Sequence, residues 1–141
     1  MWRVVLDTSV VVTALRSSRG AGNAVLRLVA ARRLTPLLST ALFLEYEAVL
    51  KRAEQRIVHG LGVAEIDRFL AALASAGEPV EVNFMWRPQL SDANDEMVLE
   101  TAVNGRADAL VTYNIRDFRV AAAKFGLRLC RPGELLEEMR P

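Results

Sequence analysis

The run Val4-Val5-Leu6-Asp7-Thr8-Ser9 decides how the rest of the chain is read. Its first three residues are apolar, two of them β-branched, and they stop abruptly at a polar cluster. Such a short unbroken run suits a strand buried on both faces, as in a parallel sheet. Thr8 and Ser9 can cap a short helix that runs to about Leu15. Ser17 to Gly22 has the composition of a loop. Asn23 can cap a second helix, whose apolar residues are Val25, Leu28, Val29 and Ala30. Leu34 to Leu38 then reads as a second short strand.

Farther along, Ser39 or Thr40 opens a long helical segment to about His59, broken by Gly60 and Gly62. Val63 to Ala76 is expected to form another helix, closed near Gly77. Pro79 to Val82 is expected to be a short strand and Phe84 to Leu90 a loop. Asp92 can cap a helix to about Asn104, with Gly105 as its stop. Ala109 to Tyr113 and Leu127 to Cys130 supply two more strands, separated by a short helix near Ala121 to Phe125. A terminal helix covers Glu134 to Met139. Strands that alternate with helices predict an α/β sandwich around a mainly parallel sheet. No internal repeat, low-complexity tract or linker interrupts the 141 residues, so one domain over 1–141 is expected.

Bulk properties narrow the function classes. A hydrophobic fraction of 52% with 25% charged residues describes a folding chain. A net charge of +1 is too small to attract nucleic acid unaided, so a polyanion site would need local basic groups or bound metal. Cys130 is the single cysteine, which excludes an internal disulfide and fits a reducing compartment. No signal peptide and no uncharged membrane-length stretch is recognisable, and a soluble cytoplasmic protein is expected.

Ligand sites of open parallel sheets lie at the carboxyl ends of the strands. Asp7 follows the first strand, and Asn114 to Asp117 follows the Ala109 to Tyr113 strand, so both should open on one edge. Taken alone, Asp7 is equally well explained as a helix cap. Asp95 has Val98, Leu99 and Ala102 at its helical neighbour positions and so shares the face turned to the sheet. A carboxylate there needs a partner or a metal, although Asp92 and Asp95 also have capping-box spacing. In the long helix, Glu45 has the cleaner apolar surroundings, whereas Glu47 can pair with Lys51.

Asp7, Glu45, Asp95 and Asp117 can therefore meet at one sheet edge. Carboxylates so packed raise one another's pKa unless a cation neutralises them. Oxygen ligands favour Mg²⁺ or Mn²⁺, and two such ions roughly 4 Å apart suit phosphodiester cleavage. Cys130 and His59 are single and far apart, which disfavours a soft-metal site.

The residues that carry this chemistry also carry a resemblance. Val5-Leu6-Asp7-Thr8-Ser9, Leu44 to Leu50, Asp92-Ala93-Asn94-Asp95-Glu96 with Ala102, and Leu110 to Phe118 occur in the order found in PIN-domain proteins. More narrowly, the chain resembles the PIN-family toxins of bacterial toxin–antitoxin systems, similar to VapC. The resemblance implies a three-layer α/β/α fold with a five-stranded parallel sheet and a Mg²⁺- or Mn²⁺-dependent ribonuclease. It implies that Asp7, Glu45 and Asp95 hold metal and that Ser9 and Thr112 hydrogen-bond within the site. Many relatives place an aspartate two residues after the threonine, where this chain has Asn114. Asn114 still offers an oxygen ligand, and Asp117 can supply the charge. An RNA substrate, a cognate antitoxin and a homodimer follow by the same resemblance, and the apolar Leu61 to Leu73 region could contribute to the dimer.

Arg16, Arg19 and Arg116 are candidate RNA contacts close to the acids, with Arg119 beyond Asp117. A scattered, solvated charge accounts for any one of them as well. Trp86 and Tyr113 could stack on bases, while Trp2 and Trp86 also suit packing. His59 reads as structural, and Lys51, Arg52 and Arg56 as an exposed helix face. Two other functions fit parts of the sequence: a catalytically weak or inactive module that acts by binding a protein, and a phosphotransferase with Asp7 as nucleophile. The second normally has another aspartate two residues on, where this chain has Ser9.

Overall fold

The structure, a computed structural model, describes residues 2–140; Met1 and Pro141, the ends of the expected domain, lie outside the described residues. Five strands form one parallel sheet: β1 (Trp2–Leu6), β2 (Leu34–Leu38), β3 (Glu78–Pro79), β4 (Ala109–Val111) and β5 (Leu129–Cys130). Their spatial order is β3-β2-β1-β4-β5. The chain leaves β1 toward β2 and β3, then returns to β1's other side with β4. The switch point of the sheet therefore lies between β1 and β4, where α/β folds of this kind open a crevice.

The helices are α1 (Thr8–Arg16), α2 (Ala21–Ala30), α3 (Thr40–Leu50), α4 (Ala53–His59), α5 (Val63–Ala76), α6 (Ala93–Asn104), α7 (Ile115–Lys124) and α8 (Pro132–Glu138). They cover the sheet as the outer layers of an α/β/α sandwich, as expected. Val4, Val5, Leu110 and Val111 are completely buried, because the helical layers leave neither face of the central strands to water. Arg3 ties the opposite end of the sheet together: its guanidinium donates to Glu78, Gly105 O and Arg106 O, and its amide to Asp108 Oδ2.

Several boundaries differ from the sequence reading. The long helix breaks after Leu50, because Arg52 is extended at φ −61°, ψ 140°. The break leaves the Leu50 carbonyl without a helical partner, and His59 supplies one at 3.0 Å through Nε2. His59 Nδ1 accepts from the Leu61 amide, which fixes the proton on Nε2 and confirms a structural ring. Helix α2 starts at Ala21, and Asn23 is not its cap; its amide instead donates to Ala14 O and closes the end of α1. β3 is shorter than expected and lies earlier, at Glu78–Pro79, since Asn104 captures the Asn83 and Phe84 amides and draws the chain off the sheet. β4 ends at Val111, and α7 begins at Ile115 rather than near Ala121. Helix α8 starts at Pro132, a residue suited to the first helical position.

On α5, Ile66, Leu70 and Leu73 are buried in the core, Phe69 is partly buried against it, and Val63 is exposed. Among the described residues, no helix is long and apolar enough to cross a membrane.

Candidate active site

Asp7 stands where β1 ends at the switch point. Its amide donates to Val111 O of β4 at 2.9 Å, which sets it beside Thr112. Although its backbone occupies the N-cap of α1, its side chain makes no capping hydrogen bond. The carboxylate, only 3% exposed, instead accepts from Ser9 Oγ at 2.8 Å and Thr112 Oγ1 at 2.6 Å. Both bonds fall on Oδ2, so two hydroxyls fix the group and leave Oδ1 without a hydrogen bond among the described residues. Thr112 Oγ1 in turn accepts from the Asn114 amide at 2.9 Å, which orients the threonine hydroxyl toward Asp7.

Tyr46 secures the same strand end from α3. Its hydroxyl donates to Leu6 O, the carbonyl just before Asp7. Burial, and then the charge on Asp7, hold that hydroxyl protonated far above the ordinary tyrosine range. Sequence reasoning missed Tyr46, because an aromatic residue in an apolar helix reads as plain core. A further buried link joins the helices that bear Glu45 and Asp95: Ser39 and Thr101 share a 2.7 Å hydroxyl contact, and Thr101 also donates to Met97 O.

Asp95 occupies the first turn of α6, half-buried, with Val98, Leu99 and Ala102 buried beyond it as the helical spacing predicts. Asp92 is the N-cap, and its Oδ1 accepts from the Asn94 amide at 2.9 Å. Asp95 does not complete a capping box; its carboxylate is free of that duty. Burial, followed by the negative charges of Asp7, Asp92, Asp117 and Glu45, pushes the Asp95 carboxyl up to about 7. Those five acids thus share one electrostatic neighbourhood, and among the described residues no base offsets their effect on Asp95. Asp92 was read from sequence only as a cap, and its part in this field was not anticipated.

Glu47 is placed otherwise. It accepts from Lys51 at 3.2 Å, while Lys51 also pairs with Asp67 of α5 at 2.7 Å. Glu45 acts electrostatically on Asp95, whereas Glu47 belongs to a surface ion-pair cluster with Lys51 and Asp67. Asn114 caps α7 by its backbone without a side-chain capping bond and is exposed. Asp117 follows in the first turn of α7, also exposed, within reach of the acid field. Of the candidate cations, Arg16 is held by Gln55 Oε1 at 2.7 and 3.2 Å, whereas Arg19, Arg116 and Arg119 are exposed.

Among the described residues, no three acidic, histidine or cysteine side chains form a ready-made metal cage. The donor set nevertheless fits a hard divalent cation: it is made of oxygens only, it carries excess negative charge, and its central carboxylate is oriented by two hydroxyls.

Comparison with known proteins agrees with this architecture. The family model for the PIN domain matches residues 3–116. VapBC2 from Rickettsia felis, in a crystal structure bound to a DNA fragment from their promoter, is similar with a TM-score of 0.62 at 19% identity, over 92% of this chain and 98% of that one. A domain of a functionally unknown protein from Methanocaldococcus jannaschii is similar with a TM-score of 0.54 at 21% identity, over 92% of this chain and 89% of that one. No curated protein matches the chain. At these identities the solved structures bear on the fold alone, and it is the family model, together with the shared parallel sheet and the placement of its motifs, that assigns the chain: it belongs to the PIN domain family.

Proposed function

We propose that the chain is a Mg²⁺- or Mn²⁺-dependent endoribonuclease and the toxin of a toxin–antitoxin pair, acting in the cytoplasm. The observation that carries this reading is the Asp7 carboxylate fixed by Ser9 and Thr112 at the end of β1, beside Asp95, whose carboxyl burial and then the charges of Asp7, Asp92, Asp117 and Glu45 push up to about 7. Unneutralised acids of this kind at a sheet switch point suit a site completed by cations and a phosphodiester. Asp7 Oδ1 and Asp95 would be the central ligands. Glu45 and Asp117 would serve as outer ligands or accept the proton released by the attacking water. Asn114 could add a neutral oxygen. A divalent cation, when bound, would withdraw charge from the phosphate and make water a better nucleophile. Ser9 and Thr112 hold the Asp7 carboxylate still, so that its open oxygen need not reorganise. The toxin role and the antitoxin partner rest on the sequence resemblance and on the fold shared with VapBC2.

Purified chain, freed of any bound partner, should cut single-stranded RNA with Mg²⁺ or Mn²⁺ and stop when EDTA is added. RNA left intact under those conditions would weigh heavily against the proposal.

The two glutamates of α3 should behave differently. Glu45→Gln is expected to slow cleavage about 10- to 100-fold, the usual effect of losing an outer group at a metal centre. Glu47→Gln should leave cleavage within about twofold and lower stability by less than about 1 kcal/mol, as for an exposed ion pair. Parallel rate measurements on the two variants check this, and equal losses would contradict the assignment of Glu45.

A further inference from the structure

We infer that the exposed face of α7 and the rings of Phe84 and Trp86 form a track for single-stranded RNA that leads away from the acid cluster. This rests on the ribonuclease reading and specifies where its substrate lies.

The track starts at Asn114 and Asp117, beside the acids. Arg116 and Arg119 are three positions apart on α7 and fall on one face. Both are exposed, and neither joins an ion pair among the described residues. Two unneutralised guanidinium groups one turn apart can each take a phosphate of the same strand. The ten residues of α7 extend about 15 Å, long enough to accompany a few nucleotides.

Aromatic rings take over where the helix ends. Lys124 Nζ lies 5.7 Å from the Phe125 ring centroid and donates to Gln89 Oε1 at 2.9 Å. The Phe125 ring is 5.5 Å from that of Trp86, which is stacked on Phe84 at 5.5 Å with 20° between the planes. Phe84, Met85 and Trp86 are 61%, 58% and 44% exposed, an apolar run that a lone chain would ordinarily bury. The loop that presents them is anchored. Arg87 forms a two-pronged ion pair with Glu100 at 2.7 Å on each prong, and Glu96 Oε1 accepts from the Gln89 and Leu90 amides.

Exposed rings on an anchored loop, with unpaired cations on the neighbouring helix, match the chemistry of an unpaired polynucleotide. Its bases stack without regard to sequence while its phosphates meet arginine. Paired bases could not stack there, so duplex RNA is disfavoured.

The chain has two tryptophans, Trp2 and Trp86, so Trp2→Phe leaves Trp86 as the single reporter. With EDTA present to prevent cleavage, a single-stranded RNA oligonucleotide should quench Trp86 fluorescence saturably, and rising salt should weaken the effect. Arg116→Gln with Arg119→Gln, and separately Phe84→Ala, should each weaken binding about tenfold or more, and duplex RNA should quench far less. Filter binding of the same RNA to chain that retains Trp2 repeats the arginine comparison without the Trp2→Phe change. Absence of quenching in a protein that still cuts RNA with Mg²⁺ would overturn the track and leave the nuclease reading intact. Quenching without any cleavage would support the track and defeat the nuclease reading. Quenching indifferent to the arginine changes, or rings covered by a protein partner and unresponsive to RNA, would also overturn it.

Discussion

Asp7→Asn should reduce RNA cleavage at saturating Mg²⁺ by about 10³-fold or more, since the central ligand role proposed for Asp7 would contribute several kcal/mol of charge stabilisation in the transition state. The substitution nearly preserves shape. Ser9 Oγ and Thr112 Oγ1 both donate to one carboxylate oxygen, and the amide oxygen of asparagine can receive both if its NH₂ turns toward the open side. The fold should therefore survive, and removal of a nearly buried negative charge should leave stability unchanged or slightly higher. Steady-state cleavage rates, with circular dichroism to establish folding, make the comparison. Cleavage equal to that of the unaltered chain would remove Asp7 from the mechanism.

Asp95→Asn should separate function from stability in opposite directions. Cleavage should again fall by about 10²-fold or more as a central ligand is lost. The metal-free protein, however, should become more stable near neutral pH. Burial, then the charges of Asp7, Asp92, Asp117 and Glu45, raise the Asp95 carboxyl from 3.8 to about 7. A carboxyl raised on folding holds its proton more tightly in the folded state. Its favourable contribution is complete below about pH 4 and is lost as pH rises through about 7. Asparagine carries no charge at any pH, so the variant should gain about 1–2 kcal/mol over the unaltered chain at pH 8, after allowance for solvent screening of a half-buried group. The gain should vanish near pH 4. Urea unfolding in EDTA across that range measures it, and Mg²⁺ should then stabilise the unaltered chain more than the variant. A variant less stable than the unaltered chain at pH 8 would mean that Asp95 has a partner in the folded state.

Much of this follows from local sequence. Val4-Val5-Leu6 is legible as a central strand because burial on both faces demands an unbroken apolar run. Asp95 is legible as an inward acid because Val98, Leu99 and Ala102 mark its face by helical spacing. What escapes is decided by groups distant along the chain. The end of α3 depends on His59 reaching back to Leu50 O. The separation of Glu45 from Glu47 depends on Asp67, which with Lys51 draws Glu47 into a surface cluster. Helix α7 starts early, after Asn114, whose side chain makes no capping bond although Asn114 and the acid Asp117 in the first turn are local helix-start signals. Tyr46 was hidden because its hydroxyl acts on a backbone carbonyl of another element, a contact that apolar periodicity does not reveal. The acid cluster itself was partly legible: four of its members stand after strands or on apolar helix faces, while Asp92, the N-cap three residues before Asp95, read as a cap alone.

Crystals of the chain soaked in Mn²⁺ and measured at the manganese absorption edge test the metal centre most directly. Anomalous density is expected between Asp7 and Asp95, with Glu45 and either Asn114 or Asp117 turned toward it and Glu47 still on Lys51. Manganese bound only elsewhere, or none at this cluster at millimolar concentration, would contradict the assignment.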